Sequence, residues 1–160
     1  MANLDPANPC FGCGGGNARG MKLVFEANES TRRVTGHLRL GPEYQGATGF
    51  IHGGIIATVL DEVMSKVSQF TKVHAVTAEL NVEYLRPVRV HEDLHAEAFA
   101  TRQQGRDLYR EGEIRNAAGT VLARGRARFV IIDPERYNKK NRASVETDAE
   151  SRAVETRARS

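Results

Sequence analysis

Several things are scarce or missing in this chain, and each narrows the reading. No stretch approaches the about 18 consecutive apolar residues of a membrane-spanning helix, so no membrane helix is expected. The N-terminus, MANLDPANPCFGCGGG, lacks the charged-then-apolar pattern of a secretory leader, which makes the cytoplasm the expected compartment. In that compartment the Asn28-Glu29-Ser30 sequon carries no meaning. No dense Lys/Arg block lies beside aromatic residues, so nucleic acid is not an expected partner. There is no internal repeat. Only two cysteines occur, Cys10 and Cys13, and no second pair exists to complete a four-ligand zinc site. The histidines, His37, His52, His74, His91 and His95, are scattered. A thioredoxin-type CxxC would open a helix, whereas glycine-rich chain follows this one. Two reduced thiols in an N-terminal loop is the plain reading, with metal or redox chemistry as its competitor.

What remains is a soluble, globular composition: 160 residues, 40% hydrophobic and 27% charged, enough for one domain with a real core. The net charge of +3 is a mild bias that suits an anionic small ligand. Residues 1–20 are rich in Gly, Pro and Asn and read as an N-terminal loop. Alternation predicts strands over 21–26 and 33–40, then 73–84, 88–101, 106–114 and 121–132. Between the second and third strands the period changes, and a helix is predicted over 53–70. Residues 133–160 mix opposite charges with few large apolar groups, and read as a charged tail, either a solvated helix or disordered. The domain is thus 21–132. Its element order is two strands, one long helix and four strands. One helix serves such a sheet best if the sheet is antiparallel and curves around it, an α+β architecture.

The helix carries the chemistry. At 100° per residue, Ile55, Ile56, Val59, Leu60, Val63, Met64, Val67 and Phe70 form one wide apolar arc. Glu62 lies opposite, where pairing with Lys66 one turn on would be ordinary. Asp61 sits at the edge of the arc. A carboxylate there is partly desolvated and can act as a base or a nucleophile. The competing reading is a boundary aspartate held by Thr58 or Ser65. The helix opens on His52-Gly53-Gly54. Helix starts leave unpaired N–H groups at the positive end of the dipole, and glycine lets a ligand approach them. That makes a candidate oxyanion site; a plain loop-to-helix turn is the alternative. Gly53 and Asp61 are eight residues apart, or roughly 12 Å along the helix, too far to share one carbonyl within one chain. A catalytic reading therefore predicts a two-fold dimer with shared sites.

His52-Gly53-Gly54 followed by Asp61, with Glu83-Tyr84-Leu85-Arg86-Pro87 downstream, resembles the PaaI-like hot-dog thioesterases. The N-terminal CFGCG resembles one branch of that group. The likeness spans roughly residues 10–132. It implies the hot-dog fold and hydrolysis of an acyl-CoA to free acid and CoA, by a homodimer or a dimer of dimers. It implies that Asp61 is the catalytic carboxylate, as general base or nucleophile. The Gly53 N–H would polarise the thioester carbonyl, with Gly54 beside it, and His52 would stand next to the carbonyl or shape the helix entry. Thr77 matches the Ser/Thr position near the attacking water. No metal or prosthetic group is implied, CoA being part of the substrate. One departure stands out: relatives often carry Asn six residues before the histidine, where this chain has Gly46. Gln45 is the candidate to take that role. Arg86 is a candidate contact to the CoA moiety, against the plainer reading of a solvated rim arginine. The stripe of Arg124, Arg126 and Arg128 shares one face of the last strand and reads foremost as a solvent face, with an assembly surface or a nucleotide contact as the alternatives. Two other functions compete: a non-catalytic acyl-CoA-binding sensor, and a hot-dog dehydratase pairing His52 with Asp61.

Overall fold

The computed structural model describes residues 4–135. The element order is β1 (Glu26–Asn28), β2 (Arg33–Arg39), α1 (Gly53–Lys66), β3 (Ala75–Tyr84), β4 (Asp93–Gln104), β5 (Asp107–Asn116) and β6 (Val121–Ile131). One antiparallel sheet runs β1-β2-β4-β5-β6-β3, not closed into a barrel. This is the hot-dog fold expected above, with β1 and β3 at the two edges. The 133–160 tail falls, from residue 136 on, outside the described residues.

The helix buries Ile56, Val59, Leu60, Val63 and Met64 against the sheet. The sheet answers with small residues. Ala96, Ala98 and Ala123 are buried, and Gly112 pairs with Gly125 across β5 and β6. Met64 rests on that glycine pair: a Cβ would lie 3.1 Å from Met64 Cγ at position 112 and 3.0 Å from Met64 Cε at position 125. A side chain at either position would therefore have to push Met64 aside. Beyond Lys66 the chain tightens into a 3-10 turn, Val67–Phe70, so the predicted helix over 53–70 is two elements. Arg110 reaches this end from β5. It is 3% exposed. Its guanidinium donates to the carbonyls of Met64 (2.7 Å) and Ser65 (3.1 Å) and to Ser68 Oγ (2.7 Å). The last carbonyls of a helix have no partners of their own, and a cation there also answers the dipole.

Two strand expectations are corrected. Residues 21–25 are not a strand. Lys22 has φ 57, and the N–H groups of Met21 and Leu23 donate to the carbonyls of Phe11 and Gly12. The alternation there reports the burial of Met21 and Leu23 in the core. Likewise β4 begins at Asp93, not at Val88. His91 has φ 62, and Glu92 closes a turn onto Arg89, so 88–92 cannot join the ladder. β4 also runs on to Gln104, three residues past its expected end, and other element ends shift by a residue or two.

Glu62 is also corrected. It does not pair with Lys66 in solvent. The N-terminal loop covers it: Cys10 Sγ donates to Glu62 Oε1 at 3.1 Å, and Lys66 Nζ donates to Cys13 Sγ at 3.0 Å. On the outer face, the arginine stripe forms cross-strand ion pairs. Arg124 meets Glu113 at 2.8 Å, Arg126 meets Glu111 at 3.4 Å, and Arg128 meets Asp107 at 3.0 Å. Such exposed pairs contribute little each, about 0–1 kcal/mol.

Candidate functional site

The head of α1 is set by His52. Its backbone is extended (φ −62, ψ 137), and its Nδ1 accepts the Gly54 N–H at 2.9 Å. The ring thus caps the helix as a side-chain acceptor. The Gly54 N–H is therefore spoken for. The Gly53 N–H meets no acceptor among the described residues. A cleft of about 200 Å³ lies beside it, with Ile56, Tyr84, Leu85 and Arg86 also on its walls. The Tyr84 hydroxyl donates to the Gly53 carbonyl at 3.0 Å. A Cβ on Gly53 would make only ordinary contact with Tyr84, at 3.5 Å, so packing alone does not demand glycine there.

Asp61 lies two turns further along, half-buried. Its Oδ1 accepts a hydrogen bond from Thr77 Oγ1 at 2.7 Å. Burial pushes the carboxyl above the usual carboxylate range. The Thr77 hydrogen bond pulls it partly back, and the Glu62 charge adds to the rise. Neither helical neighbour holds Asp61, contrary to the competing sequence reading. Thr58 Oγ1 donates to the Gly54 carbonyl and Ser65 Oγ to the Glu62 carbonyl.

β3 brings Thr77 to Asp61 through a bulge. Thr77 pairs with Phe129 and Glu79 with Arg128, so Ala78 is the extra residue. Directly opposed residues share a face. Thr77, Leu80, Val82 and Tyr84 lie opposite Phe129, Ala127, Gly125 and Ala123, on the sheet face toward α1. Glu79, Asn81 and Glu83 lie opposite Arg128, Arg126 and Arg124. The bulge therefore turns Thr77 and Tyr84 toward one helix, Thr77 to Asp61 and Tyr84 to Gly53.

The remaining candidates divide. Arg86 is exposed on the Gly53 cleft and donates to the Val121 carbonyl at 3.2 Å. Gln45 Oε1 accepts the Gly49 N–H at 3.2 Å, bracing the loop before the helix. Within one chain the candidates thus fall into two separate groups: Gly53 with its cleft, and Asp61 with Thr77. Sequence reasoning used Tyr84 only as a landmark and missed its bond to Gly53. A larger depression of about 410 Å³ lies around Glu79, Tyr109, Arg126 and Arg128 and contains no candidate residue.

The chain has known relatives. Residues 48–123 match the model of the Thioesterase superfamily. That span contains Gly53, Asp61 and Thr77. The protein named acyl-coenzyme A thioesterase THEM4 of Rattus norvegicus is 26% identical over 118 residues, 73% of this chain and 51% of its own length. The chain spans about half the length of the curated relatives it matches first. The crystal structure of a thioesterase superfamily protein is 31% identical, with a TM-score of 0.69 over 79% of this chain and 63% of that one. The PaaI protein of the E. coli phenylacetic acid degradation operon shares the fold at 18% identity, with a TM-score of 0.64 over 69% of this chain and 80% of that one.

Proposed function

We propose that this chain is an acyl-CoA thioesterase of the PaaI-like group, in the branch with an N-terminal CFGCG. The observation that carries the reading is the Gly53 N–H, left open on a cleft while His52 takes its neighbour. The similarity to a protein named an acyl-CoA thioesterase supports the substrate class.

The reaction adds water to a thioester and yields an acid and a thiol. Asp61, with its carboxyl raised by burial, accepts a proton from the attacking water. Attack by the carboxylate itself is the nucleophilic variant. The Thr77 hydroxyl occupies Oδ1, which fixes the carboxylate and leaves Oδ2 toward the water. The carbonyl oxygen gathers charge as the tetrahedral intermediate forms. The Gly53 N–H, at the positive end of α1, stabilises that charge. Collapse expels the CoA thiolate, which takes the proton back from Asp61. Arg86, exposed on the cleft, would meet the polyanionic CoA moiety.

Because Gly53 and Asp61 are about 12 Å apart along α1, the complete site takes Gly53 from one copy and Asp61 from another. β3 is a sheet edge and carries Thr77. At its end Tyr84 and Leu85 are 55% and 37% exposed, large apolar surface that a second copy would cover. The test is CoA release from a panel of short, medium, long and aryl acyl-CoAs, with wild type and Asp61→Asn. Release by wild type alone supports the reading. Binding without release from any substrate would make the chain a sensor, and a changed double bond without free thiol would make it a dehydratase.

A further inference from the structure

The N-terminal loop and the outer side of α1 form a second cluster that thioester hydrolysis does not use. We propose that Cys10, Cys13 and Glu62 form a binding site for one zinc-class divalent cation. Their donor atoms, two sulfurs and a carboxylate oxygen, all lie within 4.8 Å of one another. Cys10 Sγ stands 3.1 Å from Glu62 Oε1. A tetrahedral zinc with bonds of roughly 2.3 Å to sulfur and 2.0 Å to oxygen spaces its ligands roughly 3.5–3.8 Å apart. The 3.1 Å and 4.8 Å limits of the three donors bracket that spacing.

The loop is built to hold the thiols there. Asn8 Oδ1 accepts the Cys10 N–H at 3.0 Å, and the Gly14 N–H donates to the Cys10 carbonyl at 3.0 Å. Lys22 Nζ ties the Gly14 and Gly15 carbonyls at 3.0 and 2.6 Å. At Gly12 any side chain would collide with the Glu62 carboxyl, so glycine there lets the loop close over the helix. Cys10 and Glu62 are 52 positions apart in the chain, and the fold converges them.

Glu62 separates this proposal from a redox pair. A disulfide between Cys10 and Cys13 has no use for a carboxylate. A borderline cation takes it as a third donor beside two thiolates. The charges also close. Two thiolates, one carboxylate and a divalent cation sum to −1, and Lys66, 3.0 Å from Cys13 Sγ, returns the cluster to neutrality. On binding, each thiol that becomes a ligand releases its proton to solvent, and the metal–sulfur bonds replace S–H. Water completes the fourth position. The cation would staple the loop to α1, whatever reaction the domain performs.

The test uses the full chain, tag-free, reduced and freed of metal by chelation. Titration with Co²⁺ should saturate at one equivalent, with a thiolate-to-cobalt charge-transfer band and the visible bands of a tetrahedral centre, bleached by equimolar Zn²⁺. Cys10→Ser should lose most of the charge-transfer intensity. Glu62→Gln should keep that band but weaken binding at least about tenfold. In wild type alone, Zn²⁺ should protect both thiols from alkylation, a readout independent of how the variants fold. Absence of the band, unchanged affinity in Glu62→Gln, or equal alkylation with and without Zn²⁺ would each overturn the proposal.

Discussion

Thr77 and Tyr84 stand seven positions apart on β3, yet both face α1. On a regular strand an odd separation puts two side chains on opposite faces. The extra residue at Ala78 reverses the phase between them. Bulges commonly re-aim a side chain beside a functional site. Here one bulge gives Asp61 its hydroxyl partner and Gly53 its tyrosine.

Thr77 lowers a carboxyl that burial raises. Thr77→Val keeps the side-chain shape and deletes the hydrogen bond. The Asp61 carboxyl should then rise further, moving the acid limb of the kcat/KM profile to higher pH and cutting kcat by about tenfold. Thr77→Ser should restore both. An unmoved acid limb in the valine variant would mean that Asp61 is not the group titrating in the rate.

Asp61→Asn separates activity from stability. A folded-state pKa raised above the unfolded value gives stability that is full at pH below the ordinary carboxylate range. That stability is lost as pH rises through the raised value. The wild type carries this loss near neutral pH, and the asparagine variant does not. We expect turnover to fall about 10²–10⁴-fold while Tm near neutral pH is equal or higher. The Tm gap should close on acidification. A lower Tm for the variant at neutral pH would contradict the burial argument.

Gly53→Pro removes the open N–H and suits the first helical position, because His52 before it is already extended. Activity should fall about 10²–10³-fold with the helix intact by circular dichroism. Mixed and refolded with Asp61→Asn, it should regain about a quarter of wild-type activity, since half the dimers are mixed and each holds one intact site. If the mixture stays as inactive as its parents, both groups act within one chain.

Arg110 holds the far end of α1. Burial pushes its guanidinium down to about 10, still charged at neutral pH. Arg110→Met keeps the aliphatic length but orphans the Met64 and Ser65 carbonyls and Ser68 Oγ. We expect a loss of about 2–4 kcal/mol in urea unfolding. A loss below about 0.5 kcal/mol would mean that water caps the helix as well as the arginine does.

The order of elements and the course of α1 were legible in the sequence because both are local. A 3.6-residue apolar stripe and a 2-residue alternation are written in adjacent positions. Where alternation reported burial without pairing, as at Met21 and Leu23, the strand reading failed. The His-Gly-Gly start and the edge position of Asp61 were also visible, since helix geometry places them without any partner.

What tertiary structure decided is which group each side chain meets. Whether Thr58, Ser65 or Thr77 holds Asp61 depended on the bulge at Ala78, a property of how β3 registers against β6. Glu62 looked solvent-facing because a helical wheel contains no loop to cover it; Cys10 comes to it from a distant part of the chain. Local periodicity determined the elements of this protein and the faces of its helix. Contacts between residues far apart in sequence decided its electrostatics, because burial and hydrogen-bond partners exist only once the chain has closed on itself.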